Sequence, residues 1–433
     1  MNRTVVGIDF GTTNSSIACV NEAGDGELGR FPANAQMVES YRSLLYLEQV
    51  KERDINTLKS WSGPAGIERY FAGDGRGRLM QSLKSFLSNR SLQTTEAFGR
   101  RYALEWLIAR ILKDLREKAE AQFGVQITGA VVGRPVQFVG AENEDDNKYA
   151  QTRLAEAFRL AGYETVEFEL EPVAAARYYE STLTRDELIL IGDFGGGTSD
   201  FSLLRVGPTI LNRGRNAGDL LGNAGVGFAG DAFDAKIIRH LVAPAMGAGS
   251  ELRSMDKILS VPGWVYAKLE RWHHLSFLKA RDVMEMLRGV QAHALEPAKI
   301  KALIHLIRED LGFRLHGAVQ KVKSELSYRG EAVFEFSDGE IRLKTLLERS
   351  IFETWIADEL QLIERCVDSL FANARLEFDS IDAVFLTGGS SFVPSVRRIF
   401  EQRFGVEKIR TGSEFTSVAH GLALKADAVQ GLS

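Results

Sequence analysis

The chain has 433 residues, a net charge of −5, and 45% hydrophobic against 26% charged residues. That length suffices for two lobes with separate cores, and the composition is that of an ordinary soluble globular protein. The acidic balance removes any overall electrostatic drive toward nucleic acid or an anionic membrane, and no apolar run is long enough for a membrane span.

The first element is VVGIDFGTTNSSIACV, residues 5–20, read as strand, tight turn and strand. MNRTVVGIDF reaches Asp9 without the apolar stretch or cleavage site of a secretory signal. Cys19 and Cys366, both among apolar neighbours, are expected as free thiols in a reducing compartment, which makes the cytoplasm the expected location. A mixed segment follows to about residue 90, with the glycine-rich GDGRGR at 73–78 and then LMQSLKSFL. From Thr94 or Thr95 as a cap, the spacing of Phe98, Tyr102, Trp106, Ile108, Leu112, Leu115 and Ala119 predicts one long helix to Phe123, stopped at Gly124. AVVGRPV at 130–136 reads as a short strand and LAEAFRLAG at 154–162 as a helix ending on Gly162. TVEFEL gives a strand, and EPVAAARYY a helix with Pro172 in its first turn. ILIGDFGGGTSDFSLL, residues 189–204, then repeats the opening shape, with Asp193 in the place of Asp9. Alternation of strands and helices marks an α/β protein.

Residues 230 to about 340 differ in character. DAFDAKIIRHLV starts a helix, and most of 264–328 reads as helical. Residues 251–330 hold 14 Lys or Arg against 9 Asp or Glu, a local excess of +5 that suits a solvated helical subdomain. Trp264, Trp272 and Leu275 share a helical face and are expected as its core. His273, His274, His293 and His305 lack the spacing of metal ligands. GVGFAG at 225–230 has the glycine spacing of a dinucleotide loop, but with no strand predicted before it, a flexible loop is expected. AVFLTGGSSFVPSVRRIF returns to strand, glycine turn and helix.

Either glycine turn alone is explained by a plain hairpin, but a matched pair needs a cause. Backbone N–H groups of Gly11, Thr12 and Thr13, and of Gly195, Gly196, Gly197 and Thr198, can converge on an anion because no bulky Cβ intervenes. An Asp immediately before each cradle would repel phosphate unless a cation lay between them. Asp9 and Asp193 are therefore candidates to orient the water ligands of Mg²⁺, so that two facing hairpins clamp a polyphosphate. No GxxxxGK[ST] loop occurs, and the glycine loop, strand lysine and HRD loop of a protein kinase do not precede Asp193.

Taken in order, IDFGTTNSS, SLKSFL, EPVAAA, GDFGGGTSD, KSELS and LTGGSSFVP resemble the nucleotide-binding half of the DnaK-type heat-shock chaperones, in the actin and sugar-kinase superfamily. VVGRPVQF and the enlarged insert more closely resemble the short YegD-type members. The resemblance spans Asp9 to HGLAL near residue 420. It implies an α/β, two-lobed actin-like ATPase fold of duplicated ribonuclease-H-like domains. Lobe I would take 1–185, with a peripheral subdomain at 38–123, and be completed by 411–433. Lobe II would take 186–410, with the enlarged, mostly helical subdomain at 230–340.

The same resemblance implies ATP or ADP with Mg²⁺ and a K⁺ ion, and it assigns roles by position. Gly11, Thr12 and Thr13 would contact the phosphates, with Gly195, Gly196, Gly197 and Thr198 on the other side. Lys84 would reach the γ-phosphate, and Glu171 would orient or activate the attacking water. Asp193 and Thr198 would complete the catalytic set. Asp9, Asp193 and Asp200 would serve the metal or a monovalent cation. Gly230 and Asp231 would approach the ribose, Lys323 and Ser327 would face the nucleoside, and Gly388, Gly389 and Ser390 would admit the adenine. Ser324 and Phe392 stand where the chaperones carry adenine-flanking arginines, so Phe392 is the expected stacking surface. Phe415 stands at a position that is acidic in the chaperones. The chaperones continue past HGLAL with a leucine-rich linker and a peptide-binding domain, so no peptide-binding module is expected here. The expectation is an ATP-binding, ATP-hydrolysing, chaperone-like switch read by a protein partner, without nucleic acid or membrane. The alternative is a nucleotide-gated scaffold or filament subunit with negligible turnover, and a small-molecule kinase comes last.

Overall fold

The apolar alternation around the two Asp-Phe-Gly turns folds into two antiparallel hairpins, each the centre of a sheet. The computed structural model describes residues 3–21, 24, 26–33, 36–52, 55–72, 77–180, 183–254, 257–271, 275, 278–410 and 417–430. Strands β1 (Arg3–Phe10), β2 (Asn14–Val20), β3 (Gly26–Leu28), β4 (Gln126–Arg134) and β5 (Thr165–Leu170) lie in the order β5-β4-β1-β2-β3, with Tyr41–Arg42 also pairing to β2. Strands β6 (Glu187–Phe194), β7 (Ser199–Val206), β8 (Leu220–Val226), β9 (Ala383–Thr387) and β10 (Ile409–Arg410) lie in the order β8-β7-β6-β9-β10. In the first sheet β1, β4 and β5 are parallel while β2 and β3 are antiparallel steps. The second sheet repeats this sense for sense. The chain therefore has the duplicated α/β architecture of the actin-like fold.

Two compact units divide the described residues. One comprises residues up to Phe228, Ile363–Ser391 and Ile399 onward; the other comprises Ala229–Leu362 and Phe392–Arg398. Both sheets, and so both copies of the repeat, fall in the first unit. Helix α1 (Leu104–Phe123) buries Leu107, Ile108, Ile111, Leu112 and Leu115 in a core shared with Val6 and Ile8 of β1. A second core joins the sheets: Val131 of β4 and Ile189, Ile191 and Phe385 pack with helix α2 (Glu171–Glu180) and helix α3 (Ser417–Gln430). These helices meet backbone to backbone, because a Cβ on Gly421 of α3 would collide with the carbonyl oxygen of Ala174 in α2. A Cβ on Gly7 of β1 would likewise meet the α3 backbone at Ala419 and Ala423. Ala174, Ala175 and Ala176 are the small residues this approach requires.

The long helix starts eight or nine residues later than predicted. Thr94–Ala97 and Arg100–Ala103 form a hairpin, turned by Phe98 (φ 53°) and Gly99 (φ 71°), and α1 begins only at Leu104. Glycine admits the left-handed turn, and the apolar residues on either side of it mimicked helical spacing. The C-terminal stop is as expected: Gly124 is left-handed (φ 69°) and its N–H returns to the Glu120 carbonyl. Asn143 caps a helix that starts earlier than predicted, Glu144–Leu160, by accepting from the Asp146 N–H.

In the second unit, helices Gly230–Ile237, Trp264–Leu269, Arg281–His293, Pro297–Arg308 and Gly312–Tyr328 match the helical reading. Two hairpins, Glu251–Ser254 with Lys257–Ser260 and Glu331–Asp338 with Ile341–Glu348, were not anticipated. The expectation for Trp264 is overturned: it is 48% exposed, while Val265, Leu269 and Leu275 are buried. Trp272, His273 and His274 lie outside the described residues. His305 pins the longer hairpin through Asp338 at 2.9 Å, and His293 bonds the Gly289 carbonyl. A strand does lead into GVGFAG, since β8 includes Gly225 and Val226, and Gly230 opens a helix, so the flexible-loop reading is corrected. Cys19 and Cys366 are free thiols, and no helix among the described residues is long and apolar enough to cross a membrane.

Gly421→Ala is expected to cost about 3 kcal/mol, at the upper end for overpacking, because the obstacle is backbone. Gly124→Ala, whose Cβ would meet open space, should cost about 1 kcal/mol from its left-handed angle alone. Thermal unfolding of the two variants checks the ranking.

Candidate functional site

Strand alternation explains the composition of the repeated turn. Phe10 and Phe194 point into the core, each 1% exposed, so the neighbouring Asp9 and Asp193 face the opposite side of their sheets. Across the hairpins Asp9 pairs with Ser16, and Asp193 pairs with Asp200 at the same seven-residue offset. On the other side of β6, Thr387 is the register partner of Asp193, and its hydroxyl donates to Asp193 Oδ1 at 2.7 Å. Asp200 faces Gly225 of β8, where a Cβ would stand 2.6 Å from Asp200 Oδ1.

Lys84 arrives from a different direction. It sits on a 3₁₀ turn, Leu83–Phe86, reached through left-handed Ser82 (φ 57°) at the end of the strand Gly77–Gln81. Its Nζ donates to Glu171 Oε1 at 2.7 Å, with the two side chains 8% and 12% exposed. Glu171 is the first residue of α2, directly after β5. Gly133 of β4 makes room for it, since a Cβ there would lie 3.1 Å from Glu171 Cγ.

The electrostatics tie these groups together. Burial pushes the Asp9 carboxyl up to about 7, aided by repulsion from Glu171 and Asp193 and opposed by Lys84. Burial also raises Asp193 to about 6, with Glu171 adding to the shift and Thr387 and Lys84 opposing it. Asp200 rises to about 7 through burial and then Asp193, against a hydrogen bond from Thr198 and the charge of Lys84. For Lys84, burial works downward but Glu171, Asp9 and Asp193 outweigh it, so its ammonium is held above the usual lysine range. Glu171, Asp9 and Asp193 all act on the Lys84 ammonium and Asp200 stands opposite Asp193, so among the described residues acidic groups outnumber the one cation in this partly buried cluster.

That excess is the donor set of a hard divalent cation, which takes oxygen ligands and retains waters. Among the described residues no three of His, Cys, Asp and Glu stand close enough to hold a metal ion directly. The carboxylates of Asp9, Asp193 and Asp200 are oxygen donors of the kind a hard cation takes, gathered in one cluster. The turns beside them are shaped for close approach. The Gly195 N–H closes its turn on the Thr198 carbonyl at 3.0 Å, and a Cβ on Gly197 would meet nothing. Gly11 is needed because a Cβ would strike the Asn14 carbonyl, and the Thr13 carbonyl is tied to the Ser43 N–H at 2.9 Å. Thr12 and Gly196 are half-buried in the same turns.

Gly388 has φ 82°, and a Cβ would collide with the Phe194 carbonyl, so the turn of Gly388, Gly389 and Ser390 abuts the second hairpin. The remaining expected residues lie in the second unit. Lys323 bonds Asp234 at 2.7 Å and the Gly230 carbonyl at 3.1 Å, and the Ser327 hydroxyl donates to the Lys323 carbonyl at 3.3 Å. Asp231 is exposed one residue further on. Phe392 has its ring 6.4 Å from that of Tyr328. Phe415 lies outside the described residues. Sequence reasoning missed Thr387, Gly225, Gly133 and Asp234. Thr387 alone carried a signal, as the last strand residue before Gly388-Gly389.

A carboxyl raised in the folded state binds its proton there before the unfolded chain does, so stability falls as pH rises from about 4 through 7. Asp9→Asn should therefore raise the ligand-free Tm by about 1–3 °C at pH 8, and by less at pH 5, where wild-type Asp9 is already protonated. Scanning calorimetry at the two pH values checks the sign.

A family model described as Hsp70 protein matches residues 81–258 and 289–433. The chain is 25% identical over 444 residues to "Heat shock 70 kDa protein 7, chloroplastic" of Arabidopsis thaliana, covering 100% of this chain and 53% of the relative. It is 27% identical over 441 residues to "Chaperone protein DnaK" of Trichormus variabilis, covering 99% and 55%. It is 25% identical over 428 residues to "Chaperone protein DnaK" of Thermosipho melanesiensis, covering 99% and 59%. The chain thus spans a little over half the length of these curated relatives. Because that family model matches well over half of its length, including the second acidic turn around Asp193, the chain belongs to the Hsp70 family.

Proposed function

We propose that the chain binds Mg-ATP at the acidic cluster and hydrolyses it to ADP and phosphate. The observation that carries this reading is the Lys84–Glu171 pair at 2.7 Å, set among Asp9, Asp193 and Asp200. A buried cation beside a buried carboxylate gives one group for the γ-phosphate and one for water. Mg²⁺, when bound, would neutralise phosphate charge that the three aspartates would otherwise repel.

In this reading Gly11, Thr12, Thr13 and Gly195, Gly196 and Gly197 hold the phosphates, with the Thr198 hydroxyl beside them. Glu171 orients a water in line with the γ-phosphorus and receives its proton as the bond to the bridging oxygen of ADP breaks. Lys84 offsets the charge gathered on the transferring oxygens. Gly388, Gly389 and Ser390, with Gly230, Asp231, Lys323, Ser327 and Phe392, take the nucleoside roles that the family resemblance implies, and K⁺ is a further cation for the acidic cluster. Binding draws the two hairpins onto the triphosphate, and a protein partner reads that closure as a chaperone-like switch.

Lys84→Ala and Glu171→Gln are each expected to slow single-turnover hydrolysis at least about tenfold, the scale on which fixed charge contributes to phosphoryl transfer. Calorimetric titration should show ATP affinity falling sharply when Mg²⁺ is withheld. Unchanged single-turnover rates in both variants would remove the hydrolytic mechanism, and tight binding without turnover would leave a nucleotide-gated scaffold.

A further inference from the structure

The turn that carries Lys84 is tied both by its own main-chain hydrogen bonds, Ser85 N–H to the Ser82 carbonyl and Leu87 N–H to the Lys84 carbonyl, and from outside. It is entered through Ser82, a non-glycine residue in the left-handed region and only 7% exposed, a conformation that persists only where the surroundings enforce it. Its exit is held by the Ser88 hydroxyl on the Val139 carbonyl and, with the most contacts, by a side chain from a distant helix. Arg153, on Glu144–Leu160, is 5% exposed, and its guanidinium donates to four main-chain carbonyls of the segment just after Lys84. Nη1 reaches the Phe86, Leu87 and Asn89 oxygens at 3.4, 3.2 and 3.3 Å, and Nη2 reaches the Leu92 oxygen at 3.2 Å. Nε bonds the Glu105 carboxylate of α1, which balances the buried charge. The N–H of Leu87 in turn bonds the carbonyl of Lys84 itself, so the clamp lies one hydrogen bond from the lysine backbone.

We infer that Arg153 is a positioning residue for Lys84, fixing through the 86–92 carbonyls where the ammonium stands beside Glu171. This rests on the proposed role of Lys84. A planar fork with five N–H donors can gather several carbonyls at once, whereas an ammonium on a flexible stem cannot reproduce that spread. Arg90 adds a weaker tie from the same segment, to Asp146 of the same helix at 3.2 Å, but it is largely exposed.

The test compares Arg153→Gln, Arg153→Lys, Lys84→Ala and the double variant Lys84→Ala with Arg153→Gln. The readouts are single-turnover hydrolysis, Mg-ATP affinity and hydrogen exchange across residues 83–92. Arg153→Gln is expected to lower the rate about tenfold with affinity within about threefold, and Arg153→Lys should not restore it. Millimolar guanidinium should recover part of the rate in Arg153→Gln but not in Lys84→Ala. The double variant should be no slower than Lys84→Ala, because residues acting as one unit are not additive. A wild-type rate in Arg153→Gln, or a double variant slowed by the product of the single losses, overturns the inference and leaves Arg153 a fold staple. If Lys84→Ala itself keeps the wild-type rate, the hydrolytic reading fails instead. Exchange then decides the positioning claim alone: faster exchange at 83–92 in Arg153→Gln with the rest of the chain unchanged sustains it, and unchanged exchange there refutes it.

Discussion

Burying an ammonium among four carboxylates is the constraint around which the first unit is arranged. Neither sign of charge is tolerable there alone: Lys84 without its acidic neighbours would be an uncompensated buried cation, and the aspartates without Lys84 would lose the cation that opposes their repulsion. The strands therefore end where they do, α2 begins on Glu171, and the turn after Gly77–Gln81 accepts a left-handed Ser82 in order to deliver the lysine. The negative charge of the aspartates is offset only in part, by Lys84 and by the hydroxyls of Thr387 and Thr198. Folding by itself would favour its removal, and that is why the proposed reading assigns the cluster to a ligand.

The glycines and alanines around this cluster serve close approach more than chain flexibility. Gly225 leaves space for Asp200, Gly133 for Glu171, and Gly388 for the carbonyl of Phe194. Gly7, Gly421 and the alanines of α2 bring helices and strand into main-chain contact, which fixes the two sheets against a common core. Each of these positions gives up a side chain so that a neighbouring charged or main-chain group stands at a fixed distance.

Much of this was legible in the sequence because the repeat is written twice in residues whose alternation separates core from site. The hairpins, the helix at Glu171, the stop at Gly124 and the identity of the paired acidic turns all follow from local chemistry. Residues brought in by pairing between distant strands were not legible. Thr387 reaches Asp193 through parallel pairing of segments 194 residues apart, which no local pattern encodes. The 94–103 hairpin was misread because Phe98 and Tyr102 kept helical spacing across a Phe-Gly turn. Trp264, sequence-adjacent to true core residues, shows that a shared helical face does not decide which side is covered.

The two copies differ at one register position: where the first hairpin sets Ser16 opposite Asp9, the second sets Asp200 opposite Asp193. Duplication alone would yield a grip with twofold pseudo-symmetry, indifferent to which end of an elongated anion entered first. Swapping a hydroxyl for a carboxylate on one jaw gives the grip a polarity. In the proposed reading, the jaw with more negative charge would attract the counter-ion, and the ligand's most highly charged terminus would thereby be given a heading.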